Sequence, residues 1–355
     1  MVPPRHSPKG KRHGQGIRVN TGMEIPPPSR EAALDRLVSL VGGDLVACNR
    51  TIVAQMDSPV PLIPQLAAHI VAAGGKRLRP LLTLASARMC GYQGDRHVAL
   101  AACVEFIHTA TLLHDDVVDE SLLRRGRASA NAVFGNKASV LVGDFLFARA
   151  FQLMVRDGSL AVLDILSRAA ATIAEGEVLQ LATQNDLSTD EARYLDVVRG
   201  KTAALFAAAC EVGAVAGDRS AAEQSALREY GQNIGIAFQL VDDALDYAAD
   251  QETLGKTVGD DFREGKITLP VLLAYGAGDA DERAFWERTI EASEQHDADL
   301  TTAMDLISRH DAIGKTLDRA EQFARDAKTA LAIFPTEPFH EALLAVADYT
   351  LQRVR

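Results

Sequence analysis

Two acidic pentads carry the strongest chemical signal in this sequence of 355 residues. They are Asp115-Asp116-Val117-Val118-Asp119 and Asp242-Asp243-Ala244-Leu245-Asp246. Residues four apart share one face of an α-helix, so Asp115 pairs with Asp119 and Asp242 with Asp246. Asp116 and Asp243 lie about 100° around from their neighbours. Like charges at this spacing repel, so the arrangement needs a compensating partner. Hard oxygen donors of this kind suit magnesium. One such cluster alone reads as a solvated acidic helix end. Two of them, 127 positions apart (Asp115 to Asp242) and each closing an apolar segment, read as facing carboxylate rows. Such rows would hold several magnesium ions around one diphosphate.

Basic groups flank both rows. Gly74-Gly75-Lys76-Arg77-Leu78-Arg79-Pro80 opens a predicted helix. The glycines give backbone access, and proline in the first turn presets the helix start. Helix N-termini with adjacent Lys and Arg bind phosphate. Leu123-Arg124-Arg125-Gly126-Arg127 follows the first row, and tandem arginines suit bidentate capture of diphosphate oxygens. Lys201-Thr202, Lys256 and Lys266 lie on either side of the second row. Together they suggest an anion held between lysines and metal. His114-Asp115 also matches the core of metal-dependent phosphohydrolases, but acids outnumber histidines here, which favours magnesium over a softer metal.

The elements that must position these groups are helical. Strand alternation is nearly absent, and Ala, the strongest helix former, is abundant. Expected stops include Gly42-Gly43, Gly74-Gly75, Gly91, Gly126, Asp157-Gly158, Gly217-Asp218 and Gly255. Ser188-Thr189-Asp190-Glu191 reads as a helix N-cap with acid in the first turn. His97 to Asp119 is apolar on nearly all sides and is therefore a central, buried helix. Tyr230 to Ala249 repeats that design.

Composition narrows the class. An apolar fraction of 47% with 24% charged residues fits a folded globular chain. The net charge is −11, from 37 bases and 48 acids. Residues 1–20 hold five of those bases and no acid, so the remainder carries 32 bases against 48 acids, or −16. So acidic a body does not bind nucleic acid through bulk electrostatics. The longest run free of charged residues, Ser58 to Gly75, is broken by Pro59, Pro61 and Pro64, which argues against a membrane span. Cys48, Cys90, Cys103 and Cys210 have no paired spacing and read as buried, reduced thiols in a cytosolic protein. Residues 1–29 are basic and Pro-rich and are expected to form a flexible tail.

Taken together, GGKRLRP, HTATLLHDDVVDESLLRRG, GKTAALF, FQLVDDALDY and GKTVGDDFREGKITLP resemble the trans-isoprenyl diphosphate synthases. The resemblance runs from about residue 30 to the end, and the wording of the first Asp motif is similar to the long-chain, quinone-tail subgroup. It implies an all-α fold, a single-domain bundle of roughly ten or more helices around a central apolar cavity, spanning 30–355. The implied reaction is magnesium-dependent, successive head-to-tail condensation of isopentenyl diphosphate onto an allylic primer, farnesyl or geranylgeranyl diphosphate. The implied product is an octaprenyl to decaprenyl diphosphate for a quinone such as ubiquinone. Shorter-chain synthases and a non-catalytic subunit of a heteromer are the alternatives. A terpene cyclase has no use for a second diphosphate site.

The resemblance also implies roles. Asp115, Asp116 and Asp119 would bind magnesium, about three ions in all, with Asp242 opposite and Asp243 and Asp246 supporting it. Arg124, Lys201, Thr202, Gln239, Lys256 and Lys266 would hold the allylic diphosphate. Lys76, Arg79, His108 and Arg125 would hold isopentenyl diphosphate, and the small Ala110 and Thr111 would leave the tail channel open. A cytoplasmic homodimer with transient membrane contact during product release completes the expectation.

Overall fold

The computed structural model describes residues 30–72, 74–124, 126–248 and 258–352. The expected tail, Arg125 and Lys256 lie outside the described residues. Among the described residues the fold is all-α apart from one small hairpin. In order, the first half runs α1 (Arg30–Gln55), α2 (Leu62–Ala72), α3 (Leu78–Met89), α4 (Arg96–Val118), α5 (Ala130–Phe134), α6 (Asn136–Asp157) and α7 (Leu160–Thr183). It continues with α8 (Glu191–Val198), a π-turn at Arg199–Ala203, α9 (Ala204–Ala216) and α10 (Ala221–Ala248). The rest comprises α11 (Asp260–Arg263), α12 (Leu269–Ala277), α13 (Ala280–Trp286), α14 (Asp299–Arg309), α15 (Ala312–Ala330) and α16 (Pro338–Leu351).

The central helix is α4, and it packs on α1, α3, α6 and α9. Its Phe106, Ile107, Ala110 and Leu113 are buried in the main core with Leu146 of α6, Phe206 of α9 and Ile234 of α10. Each fully buried large apolar side chain contributes about 1.5–3 kcal/mol. This packing fixes α4 along its length and leaves its acidic C-terminus at a defined place. The second acidic helix, α10, is held between α9 and α15. A smaller core of Phe262, Trp286 and Ile307 supports the segment after it.

Local signals account for most helix ends. Gly158 closes α6 in the left-handed region (φ 76°), where only glycine sits without strain. The Asp190 side chain caps α8 by accepting from the Arg193 N–H at 2.8 Å. The expected stop at Gly42-Gly43 is corrected: α1 continues through it with a kink at Val41 (φ −112°, ψ 16°). Glycine costs a helix only about 1 kcal/mol, and α1 recovers that by burying Leu37, Val41, Cys48 and Ile52. A second departure is the hairpin, in which Leu123–Arg124 pairs with Arg127–Ala128. It is too short to leave an alternating pattern in the sequence.

Charge-free runs alone do not decide whether a helix could span a membrane. Among the described residues, Ala33–Gln55, Arg96–Val118 and Asn136–Asp157 are long and apolar enough to cross a membrane by length and composition. Each of these helices is interrupted by charged residues, so no charge-free run marks it in the sequence. Of the most apolar window of Arg96–Val118, 72% is buried inside the protein, against 44% for Asn136–Asp157 and 22% for Ala33–Gln55. All four cysteines are free and buried.

Candidate active site

The two carboxylates that end α4 face in different directions. Asp116 is buried and accepts from the Arg124 guanidinium at 2.6 and 2.8 Å. Its backbone carbonyl accepts from the Asn131 amide at 2.8 Å. Asp115 lies within the electrostatic reach of Lys201 and Glu177. Burial, then Glu177 and Asp119, push its carboxyl up to about 7 against the opposing pull of Lys201 and Arg124. Asp119 caps the helix, its N–H bonded to the Asp115 carbonyl at 2.8 Å. Its carboxylate accepts from Lys266 at 3.3 Å.

The end of α10 is more deeply buried. Asp243 accepts from the Tyr194 hydroxyl at 2.5 Å and from the Gln239 amide at 2.8 Å. The Gln239 carbonyl oxygen in turn accepts from the Thr202 hydroxyl at 2.8 Å. Burial, then Asp261 and Asp242, push the Asp243 carboxyl up to about 7, although both hydrogen bonds act the other way. Asp246 accepts from the Asp261 N–H at 3.1 Å, and its carbonyl receives the Gly259 N–H at 2.9 Å. The second acidic row thus also organises the loop that follows it. Asp242 is half-buried beside them.

Lys201 sits on the π-turn, a wide helical turn that is frequent at functional sites. It donates to Glu177 and to Gln180 on α7, each at 2.7 Å. Two glycines make this meeting possible. A methyl group on Gly176 would lie 2.5 Å from the Lys201 backbone nitrogen, and one on Gly200 would lie 2.9 Å from the Gly176 Cα. Burial works to lower the Lys266 ammonium, but Asp261, Asp119 and Glu264 outweigh it and hold it above the ordinary lysine range. One cavity gathers Gln180, Tyr194, Lys201, Thr202, Gln239, Asp243, Asp261 and Lys266.

A second cavity lies by the basic loop and is lined by Gly74, Arg77, Glu105, His108, Asp116 and Arg124, among others. A terminal nitrogen of Arg79 lies 3.2 Å from the His108 ring nitrogen, and its guanidinium stacks 4.2 Å above the Phe206 ring. Lys76 is exposed and turns to α16, where it donates to the Tyr349 hydroxyl. Ala110 is fully buried, and the Thr111 hydroxyl donates to the His108 carbonyl at 2.8 Å. Neither Ala110 nor Thr111 lines the two cavities.

Several residues here have no individual role legible from sequence: Glu105, Glu177, Gln180, Tyr194, Asp261, and Arg77 beyond its place in the basic motif. Asp261 carried a usable signal, since it lies in the same glycine-bounded motif as Lys266. Glu177 and Gln180 show helical i,i+3 spacing but sit on an otherwise ordinary helix. Tyr194 carried none.

Among the described residues, no three His, Cys, Asp or Glu side chains form a ready metal site. The donor set is nonetheless one of carboxylate oxygens, the type that hard divalent ions prefer. Buried carboxylates need compensation, and Arg124 and Lys266 supply it to Asp116 and Asp119.

A helical fold with two acidic helix ends meeting across half-buried lysines has the architecture of the isoprenyl diphosphate synthases. The Polyprenyl synthetase family model matches residues 60–307, and the chain belongs to that family of prenyltransferases. It is 47% identical over 322 residues to the octaprenyl diphosphate synthase of Escherichia coli (strain K12), covering 91% of this chain and 99% of that one. A crystal structure of a polyprenyl synthase from Caulobacter crescentus, complexed with calcium and isoprenyl diphosphate, superposes with a TM-score of 0.88 at 55% identity. That match covers 91% of this chain and 98% of the other. A decaprenyl diphosphate synthase from Rhodobacter capsulatus superposes with a TM-score of 0.87 at 53% identity, covering 91% and 99%.

Proposed function

We propose that this chain is a long-chain trans-polyprenyl diphosphate synthase, making an octaprenyl to decaprenyl diphosphate for a quinone side chain. The observation that carries the reading is the convergence of Lys201, Lys266, Asp243 and Asp261 on one cavity beside the Asp115–Asp119 helix end. The long-chain relatives support the product class.

The chain's own groups then have definite tasks. Lys201, Thr202, Gln239, Arg124 and Lys266 bind the allylic diphosphate, with Lys256 in the segment between Gln239 and Lys266. Arg79, His108, Lys76 and Arg125 bind isopentenyl diphosphate. Asp115, Asp116, Asp119 and Asp242 would hold magnesium, with Asp243 and Asp246 supporting them. Magnesium, when bound, supplies positive charge that neutralises the departing diphosphate. The carbon–oxygen bond of the primer breaks and its electron pair leaves with the diphosphate. The double bond of isopentenyl diphosphate supplies the pair for the new carbon–carbon bond. The proton lost from the condensed product passes to the departing pyrophosphate. Lysines and arginines fixed beforehand stabilise the developing anion without reorganising. The apolar walls of α4 exclude water from the cation.

Residues 30–355 act as one catalytic domain in this reading, and a cytoplasmic homodimer is its working form. Exposed Leu141, Phe151 and Val155 on α6, with Leu160 on α7, support a second copy as partner. The net charge of −16 outside the first 20 residues supports the absence of nucleic acid and of more than transient membrane contact. The test is magnesium-dependent pyrophosphate release from isopentenyl diphosphate and farnesyl or geranylgeranyl diphosphate, with the product sized by mass. Products of about eight to ten isoprene units are expected. Products that stop at about three or four would make it a shorter-chain synthase, and no turnover would make it a non-catalytic subunit.

A further inference from the structure

Two bridges, one helical turn apart, join the basic loop and the first turn of α3 to α4. Glu105 and His108 are three residues apart and share a face of that helix. Glu105 pairs with Arg77, and His108 meets Arg79 at 3.2 Å. The Glu105 and Arg77 side chains are only 9% and 16% exposed. They stand against α1, where burial and then Glu105 push the Cys48 thiol up to about 12. Arg77 has φ 51° and ψ 37°, following Gly74 and Gly75 at φ 70° and 148°. A bulky residue stays in that left-handed region only where its surroundings hold it. The Arg77 side chain is paired there with the Glu105 carboxylate.

We infer that Glu105 is a positioning residue for isopentenyl diphosphate: through Arg77 it locks the loop so that Arg79 is presented beside His108. The inference rests on the reading that Arg79 and His108 hold that substrate's diphosphate. It also explains an acid on the wall of a cavity meant for an anion. With Arg77 in place the carboxylate is neutralised, and its charge is spent on the loop rather than on repelling the ligand. Arg77, Glu105 and His108 line the same cavity.

The test compares Michaelis constants for the two substrates in Glu105→Gln, Arg77→Met, Glu105→Asp and the double variant Glu105→Gln/Arg77→Met. Glu105→Gln should raise KM for isopentenyl diphosphate by about tenfold or more, the scale on which misplaced binding groups act. KM for the primer and kcat should stay within about twofold. Arg77→Met should behave alike, and the double variant should be no worse than either single change, because the two residues act as one unit. Glu105→Asp, which keeps the charge, should recover part of the loss. If Glu105→Gln does not fold by circular dichroism, Glu105→Asp and Arg77→Lys carry the same comparison through smaller shifts of the same sign. An unchanged or lowered KM for isopentenyl diphosphate overturns the inference, as does an equal rise for both substrates. Arg79→Ala is the control. If it leaves KM for isopentenyl diphosphate unchanged, the assignment of the diphosphate site itself fails. If it raises that KM while Glu105→Gln does not, only the positioning role fails.

Discussion

The Lys266 ammonium lies 3.3 Å from the Asp119 carboxylate, across 147 positions of sequence. It also pairs with Glu264 and feels Asp261. A cation therefore ties the turn between α11 and α12 to the end of α4. Each half of the site carries excess negative charge, and the protein's own lysine balances both.

That excess makes the first acidic row sensitive to loss of catalysis rather than of folding. Asp115→Ala should cut turnover by about 10²–10³-fold, the scale of a lost electrostatic contact to the leaving group. The thermal midpoint should hold or rise, because burial and the neighbouring acids already disfavour the Asp115 carboxylate. Steady-state turnover with a melting curve on the same preparation checks both halves. Near-normal turnover would remove Asp115 from the site.

The two basic regions should separate the substrates. Lys201→Ala removes the partner of Glu177 and Gln180 from the first cavity and should raise KM for the allylic primer more than for isopentenyl diphosphate. Lys76→Ala should do the reverse. Its bond to Tyr349 breaks as well, so Tyr349→Phe is a useful companion and should have the smaller effect. Initial rates with one substrate varied at a time decide this, and equal shifts would mean the sites are misassigned.

Product length should respond to Ala110. It lies five residues before Asp115, about 7.5 Å down the helix axis. Its side chain is fully buried, so Ala110→Phe should cost about 1–3 kcal/mol of stability through overpacking. If the tail grows along this face, products of the folded variant shorten to about three or four isoprene units while primer is still consumed. Mass analysis of the product mixture reads the outcome, and unchanged lengths place the channel elsewhere.

A pH test probes the support for the second row. Asp299 is held down to about 2 by Arg288 first, at 2.8 Å, and by the His296 N–H at 2.7 Å. A carboxylate whose folded value is depressed stabilises the fold above its ordinary value of 3.8, and the contribution fades as pH falls toward 2. Asp299→Asn should therefore lower the melting temperature at pH 7, with the gap to the parent closing between about pH 4 and 2. The neighbouring Leu300 packs on Gly259, whose N–H bonds to Asp246, so the segment matters to the site. A constant gap across that range would show that the pair contributes nothing through ionisation.

Local physics made much of this legible from the residues alone. Ala-rich segments without strand alternation had to be helical, and apolar residues all around His97–Asp119 had to make it central. Helical spacing settled that Asp115 and Asp119 share a face and that Asp116 points away. The long echo between the two acidic rows, with lysines beside the second, already implied a compensated anion site. Spacing within one helix depends on backbone geometry, which neighbouring residues determine. Contacts between helices depend on packing, and there the residues alone fell silent. Nothing local says that Asp116 turns to Arg124, that Tyr194 meets Asp243 across 49 positions, or that Glu105 holds Arg77. The same holds for Gly176 and Gly200, whose missing side chains let α7 approach the π-turn and bring Lys201 to Glu177. Those meetings come from close-packed helices whose crossing places distant side chains within hydrogen-bond reach.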